Sequence, residues 1–404
     1  MKQTNIPDTT QTTTSRNRAK YITKIERLIQ LSEPERERLK KVAERYAFRI
    51  SDYYADLIDW SDPNDPLRRL VVPAEDELLE WGKLDASNEL SNTPVRGVQH
   101  KYGTTVLLLV NEVCGSFCRY CFRKRLFING NDEVSYDIEP GLEYIREHPE
   151  VNNVLLTGGD PLILKTPKLE RIFASLREIE HVKIIRIGSK MPAFNPFRFL
   201  NDDSLLDLFR EYSQPDRRIY LICHYDHPNE LTKESREAIR RVLDAGVVCV
   251  NQNPILRGIS DDSRVMSALW NQLAEMGVPQ YYVFQGRPTA GNESFELPIV
   301  EAYHKIEEAK QSCSGLAKRL KYCMSHESGK VEIIGVDEDR IYLKYHRAKD
   351  SNDEQRMLIC HRDDNAYWLD QLKPIEGFRN EFYSEETGEI EVPEPIQAYP
   401  TARR

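Results

Sequence analysis

The sequence lacks a basic excess: 56 Lys and Arg stand against 65 Asp and Glu, a formal net charge of −9. A broad cationic surface for nucleic acid or for an anionic membrane is therefore excluded. Long apolar runs are missing too. The longest in the middle of the chain, Val106–Val110, falls far short of the roughly 20 residues a bilayer helix needs. No charged-then-apolar leader opens the chain, so a soluble, cytoplasmic protein is expected. Cysteine is sparse, with eight residues in 404, and in a chain this long it does not read as the disulfide framework of a small secreted domain. Five of them (Cys223, Cys249, Cys313, Cys323, Cys360) are scattered and read as buried apolar side chains. What is present, 40% hydrophobic and 30% charged residues, is the make-up of a globular chain long enough for two or three units of about 150 residues.

Residues 1–18 are polar and Thr-rich, and read as a disordered lead-in. Residues 19–99 read as a helical region, with Ser32-Glu33-Pro34-Glu35 as a capping box that opens one helix. From 100 to 311 short apolar runs alternate with helical segments. The strand candidates are Val106–Val110, Val154–Thr157, Lys183–Ile187, Ile219–Cys223, Val247–Asn251 and Tyr281–Gln285. They are near-continuous apolar runs, as expected of parallel strands covered on both faces. Thr166 before Pro167 reads as a helix N-cap, and Gly246 and Gly277 stand where helix C-termini need φ > 0. Repeated β–α units predict a parallel sheet, either open or curled into a barrel. Residues 312–375 read as a small α+β extension with a hairpin turning through Asp337–Asp339, and 376–404 as an acidic, Pro-rich tail.

The chemistry is concentrated after the first of these strands. Cys114, Cys118 and Cys121 form a CxxxCxxC run on a loop at the strand's carboxyl end, the edge where α/β folds place their sites. Three readings are open: packing, zinc or an iron–sulfur cluster. Structural zinc wants four closed ligands, and no fourth Cys or His lies nearby. Three thiolates on a four-iron cluster leave one iron free for a substrate or cosubstrate.

This motif, its place after the first strand and the count of six strands resemble the radical S-adenosylmethionine (SAM) superfamily. The resemblance implies a partial (β/α)6 parallel barrel, a [4Fe-4S] cluster on Cys114, Cys118 and Cys121, and SAM chelated to the free iron and cleaved to a 5′-deoxyadenosyl radical. Within the superfamily, LLTGGDPL (155–162), IRIGSK (185–190), HYDHPNEL (224–231), LDAGVVCVNQNPILRGISD (243–261) and YYVFQG (281–286) resemble successive motifs of lysine 2,3-aminomutases. That family moves an amino group between adjacent carbons with pyridoxal phosphate (PLP) holding the nitrogen as an imine. By resemblance Thr157, Gly158, Gly159, Asp160, Ser189, His224 and Gln252 line the SAM mouth, and Arg123 pairs the substrate carboxylate. Lys330 in Ser328-Gly329-Lys330 is the implied PLP lysine.

Several positions depart from the family pattern. The two arginines that the family places on the PLP phosphate fall on Lys101 and Thr105. Its two substrate-ammonium aspartates fall on Arg287 and near Cys323, and its C-terminal zinc segment is reduced to Cys360-His361, so no zinc is expected. Arg287 in place of an acid argues against lysine and for an acidic amino acid such as glutamate. The expected partners are a small-molecule amino acid and an external electron donor of flavodoxin or ferredoxin type, in a homo-oligomer. The rival readings are a PLP-independent radical SAM enzyme and a zinc-stabilised α/β protein without turnover.

Overall fold

The structure, a computed structural model, describes residues 18–128 and 131–378. The lead-in up to Asn17 and the tail from Arg379 onward lie outside the described residues.

Twelve strands form one sheet in strict chain order. They are β3 (Val98–Tyr102), β4 (Thr105–Asn111), β5 (Asn153–Gly158), β6 (Ile184–Ser189), β7 (Ile219–Cys223), β8 (Val248–Pro254), β9 (Gln280–Phe284), β10 (Lys321–His326), β11 (Gly329–Val336), β12 (Arg340–Ala348), β13 (Met357–His361) and β14 (Pro374–Glu376). From β4 to β10 every neighbour is parallel; β3 is antiparallel on one side, and β11 to β14 form an antiparallel meander on the other. The sheet stays open, with β3 and β14 as its edges. Strands β1 (Tyr21–Ile22) and β2 (Ile50–Ser51) make a separate two-stranded ribbon.

Helices α1 (Glu33–Arg45), α2 (Asp52–Ala55) and α3 (Pro66–Val71) precede the sheet. Its crossovers carry α4 (Glu139–Glu147), α5 (Thr166–Glu178), α6 (Met191–Phe194), α7 (Phe197–Leu200), α8 (Asp203–Tyr212), α9 (Lys233–Asp244), α10 (Ser263–Glu275) and α11 (Ile299–Gln311). In α5, Leu169, Ile172, Phe173 and Leu176 fall on one helical face and are buried. Half of the expected capping box forms: Ser32 accepts from the Glu35 N–H, while the Glu35 carboxylate turns to Arg68. Gly246 and Gly277 take φ of 80° and 79° past α9 and α10 as expected, and Thr232 caps α9 by accepting from the Ser235 N–H. Thr166 differs, because its hydroxyl is engaged by Asp202 and Arg198 and α5 is entered through Lys165.

Three further differences have physical reasons. A seventh parallel strand, β10, joins the six expected; its sequence KYCMSH is polar at both ends and leaves an apolar run of only three residues. Part of 19–99 is the β1–β2 ribbon and short 3-10 turns rather than helix, Glu75–Leu78 among them. The extension differs from the α+β expectation, since among the described residues 313–378 hold strands and 3-10 turns. Those strands continue the barrel sheet across β10–β11 and so bury their apolar face on its core. The N-terminal region has its own core, which includes Tyr54, Leu67 and Val71 and reaches Tyr120, Phe194 and Phe295. It therefore packs directly on the cysteine loop.

Candidate functional site: a cysteine loop, a guanidinium cluster and a half-buried lysine

Cys114, Cys118 and Cys121 are free thiols on the loop that leaves β4. The loop is held by backbone bonds from the N-terminal region: Phe117 N donates to Arg49 O at 2.9 Å and Arg119 N to Leu70 O at 2.8 Å. The Arg119 side chain, 2% exposed, closes a bidentate pair with buried Glu77 at 2.9 and 2.8 Å. Burial pushes the three unliganded thiols up, and separate cations oppose it: Lys190 at Cys118, and Arg123, Lys124 and Arg125 at Cys121. Among the described residues no three Cys, His, Asp or Glu converge on a single metal ion. Three free thiols on one loop, two of them flanked by cations, fit a cubane, whose ligands each take a different iron.

The TGGD turn that ends β5 braces this loop. Gly159 N donates to Asn111 O at 2.6 Å and Asp160 N to Val113 O at 2.9 Å. A Cβ on Gly159 would meet Val113 N and O at 2.5 Å, and Gly158 holds φ at +106°, so both glycines are required by the close approach of these two chains. Asp160 accepts from Ser189 Oγ at 3.0 Å and from the N–H of Lys190 and Leu162; burial lifts its carboxyl to about 6 against these bonds. His224, beyond β7, has Nε2 2.7 Å from Tyr120 Oη and 3.3 Å from Asp226 Oδ1. Tyr120 donates to Asp226 Oδ2 at 2.6 Å, so its oxygen is left to accept from His224 Nε2–H. Lys190 closes the network on Asp226 and Glu230, each at 2.7 Å; burial opposes its charge, but the two carboxylates outweigh it. Gln252 lies half-buried on β8, in register with Tyr282.

Arg123 and Arg287 meet at a residue the sequence did not flag. Glu89, from the segment before β3, pairs with Arg123 at 3.0 Å, Arg125 at 2.7 Å and Arg287 at 3.5 Å. Burial opposes its ionisation, but the three guanidinium groups prevail and hold its carboxyl well below the usual range. Arg123 further donates to Thr157 Oγ1 at 2.9 Å and to Gln99 Oε1 at 3.1 Å. Arg287 stacks on the Phe122 ring at 3.7 Å.

Lys330 is the second residue of β11, with Nζ 4.0 Å from the Tyr282 ring centroid and 5.0 Å from that of Phe284. Burial, together with Arg186, Arg347 and Arg287, brings its amine down to about 7 although Cys323 pulls the other way. Arg347 is its cross-strand partner on β12 and donates to Thr105 Oγ1 at 3.1 Å and Thr104 Oγ1 at 3.0 Å. Lys101, likewise depressed to about 7 by burial and Arg287, donates to His326 O. The neutral position at Thr105 is thus covered by a guanidinium from a strand 242 residues further on. An amine depressed toward neutrality, beside two aromatic rings and several cations, fits PLP: Lys330 would meet its carbonyl carbon and Arg347, Arg186 and Lys101 would meet its phosphate.

An open parallel sheet with three free cysteines at the end of its first parallel strand defines a radical SAM enzyme, and comparison agrees. Residues 108–270 match the radical SAM superfamily. The chain is 52% identical over 357 residues to an Aquifex aeolicus protein named "Putative L-lysine 2,3-aminomutase", covering 88% of this chain and 96% of that one. It is 36% identical to the L-lysine 2,3-aminomutase of Clostridium subterminale (74% of this chain, 71% of that one) and 33% identical to the glutamate 2,3-aminomutase of Clostridioides difficile (74% and 70%). The chain belongs to the lysine 2,3-aminomutase family of radical SAM enzymes, whose members use a [4Fe-4S] cluster and SAM. Among the described residues no helix is long and apolar enough to cross a membrane.

Proposed function

We propose that the protein catalyses a PLP-dependent 2,3-amino shift on an acidic amino acid such as glutamate. The observation that carries this reading is the charge around Lys330. With Arg186, Arg347 and Lys101 matched to the PLP phosphate, Arg287 is left to meet a substrate side chain, and the Glu89 carboxylate it pairs with is shared with Arg123 and Arg125. A substrate bearing a side-chain ammonium would meet like charge there, and a carboxylate would meet opposite charge.

When bound, the cluster and SAM supply hydrogen-atom abstraction and PLP supplies the carbonyl that carries the migrating nitrogen. Cys114, Cys118 and Cys121 hold the cluster. Thr157, Gly158, Gly159, Asp160, Ser189, His224 and Gln252 shape the adjoining SAM mouth. Lys330 presents a free amine near neutral pH, Arg123 serves the α-carboxylate, and Arg287 receives the acidic end of the substrate. The reducing electron comes from an external donor of flavodoxin or ferredoxin type.

The test is anaerobic incubation of PLP-loaded, cluster-reconstituted protein with SAM, reductant and L-glutamate, L-aspartate or L-lysine, followed by mass spectrometry. A β-amino isomer of an acidic substrate is expected, and Arg287→Asp should lower its yield by tenfold or more. Turnover of lysine alone would refute the charge argument.

A further inference from the structure

We infer that Gln99 is a substrate-carboxylate donor. The inference rests on the amino-acid isomerase reading above. Gln99 lies on β3 and is 4% exposed. Its Oε1 accepts from Arg123 Nη2 at 3.1 Å, and its Nε2 makes no hydrogen bond to any described residue. The amide orientation is forced, because flipping it would set two donors against each other at Arg123. A buried N–H2 with no acceptor is costly unless something supplies one.

The neighbourhood says what that acceptor is. Arg123 already spends four of its five N–H groups: two on Glu89, one on Thr157 and one on Gln99 itself. Alone it no longer offers the two-pronged fork that a carboxylate prefers. Gln99 restores a second donor beside it. The surroundings are cationic, with Arg287 and Lys101 close enough to influence each other and Glu89, so an anionic oxygen is favoured over a carbonyl. The site abuts the chemistry: Arg123 N–H reaches Cys121 Sγ at 3.4 Å, and its guanidinium reaches Thr157 at the end of β5. The ligand is thus the α-carboxylate of an amino acid, read by Gln99 Nε2 together with the remaining N–H of Arg123.

The test compares the PLP-loaded protein with Gln99→Glu and Gln99→Met, without SAM, following PLP absorbance during titration with L-glutamate, L-lysine and 1,5-diaminopentane. Gln99→Glu keeps an acceptor for Arg123 and so keeps the fold, but it turns the donor into a like charge. Its half-saturating concentration should rise about tenfold or more for both amino acids, that of Gln99→Met several-fold, and neither should change for the diamine, which has no carboxylate. Unchanged values for the amino acids, or an equal loss for the diamine, would overturn the assignment, as would failure of both variants to fold. A native protein whose absorbance answers to no amine would instead overturn the underlying function and this inference with it.

Discussion

The amine of Lys330 should titrate near neutrality, and that can be read directly. With its ionisation brought to about 7, roughly three quarters of the amine is free base at pH 7.5; at the ordinary value of 10.5 about 0.1% would be. The gain in nucleophile is several-hundredfold. Lys101 is depressed to a similar degree, but its Nζ is committed to His326 O, whereas Lys330 lies over aromatic rings without an acceptor among the described residues. Reductive fixing of PLP with borohydride across pH 5–10, followed by peptide mapping, should label Lys330 with a midpoint near 7 and vanish there in Lys330→Ala. Arg347→Gln should move the midpoint upward by less than a unit, because burial rather than Arg347 is the largest cause of the depression. The same shift bears on stability. Below about 7 both folded and unfolded chains carry the proton and the folded state bears the full penalty. Stability is regained as pH rises from there toward 10.5, with a ceiling of about 5 kcal/mol. A labelling midpoint above 9, or labelling that falls on Lys101, would refute the reasoning.

Glu89→Gln should cost about 3–5 kcal/mol in denaturant unfolding, because it leaves two buried guanidinium groups and a half-buried one short of their shared anion; a loss below 1 kcal/mol would show that they find other partners. Gly159→Ala should cut the iron content of reconstituted protein severalfold by forcing its new methyl against Val113, whereas Gly103→Ala, which meets nothing within 4 Å, should leave iron content unchanged.

The features legible in the sequence are those written locally. The cysteine run, the apolar strands, Ser32 as a cap and the glycines after α9 and α10 each depend on residues a few positions apart. Strand β10 was hidden because its buried apolar run is only Tyr322, Cys323 and Met324, flanked by polar residues. Lys330 was singled out by resemblance alone, and which cations would surround its amine could not be read, because Arg186, Arg287 and Arg347 come from three other parts of the chain. Glu89 gave no signal at all, since a lone acid in a polar stretch looks like any solvated residue until Arg123, Arg125 and Arg287 close around it. The same distance in sequence concealed the Arg347–Thr105 pairing.

The strict succession of strands has a consequence for how the molecule is assembled. Each new strand is laid against the one made just before it, so no segment must be held open for a later one to insert, and the sheet can grow outward from β3 as the polypeptide emerges. Lys330 and Arg347 arrive with the β11–β12 hairpin, after the cysteine loop is in place. A nascent chain could therefore be trapped with its thiols already arranged and its amine not yet installed, and capacity to take up iron would precede capacity to take up the aldehyde.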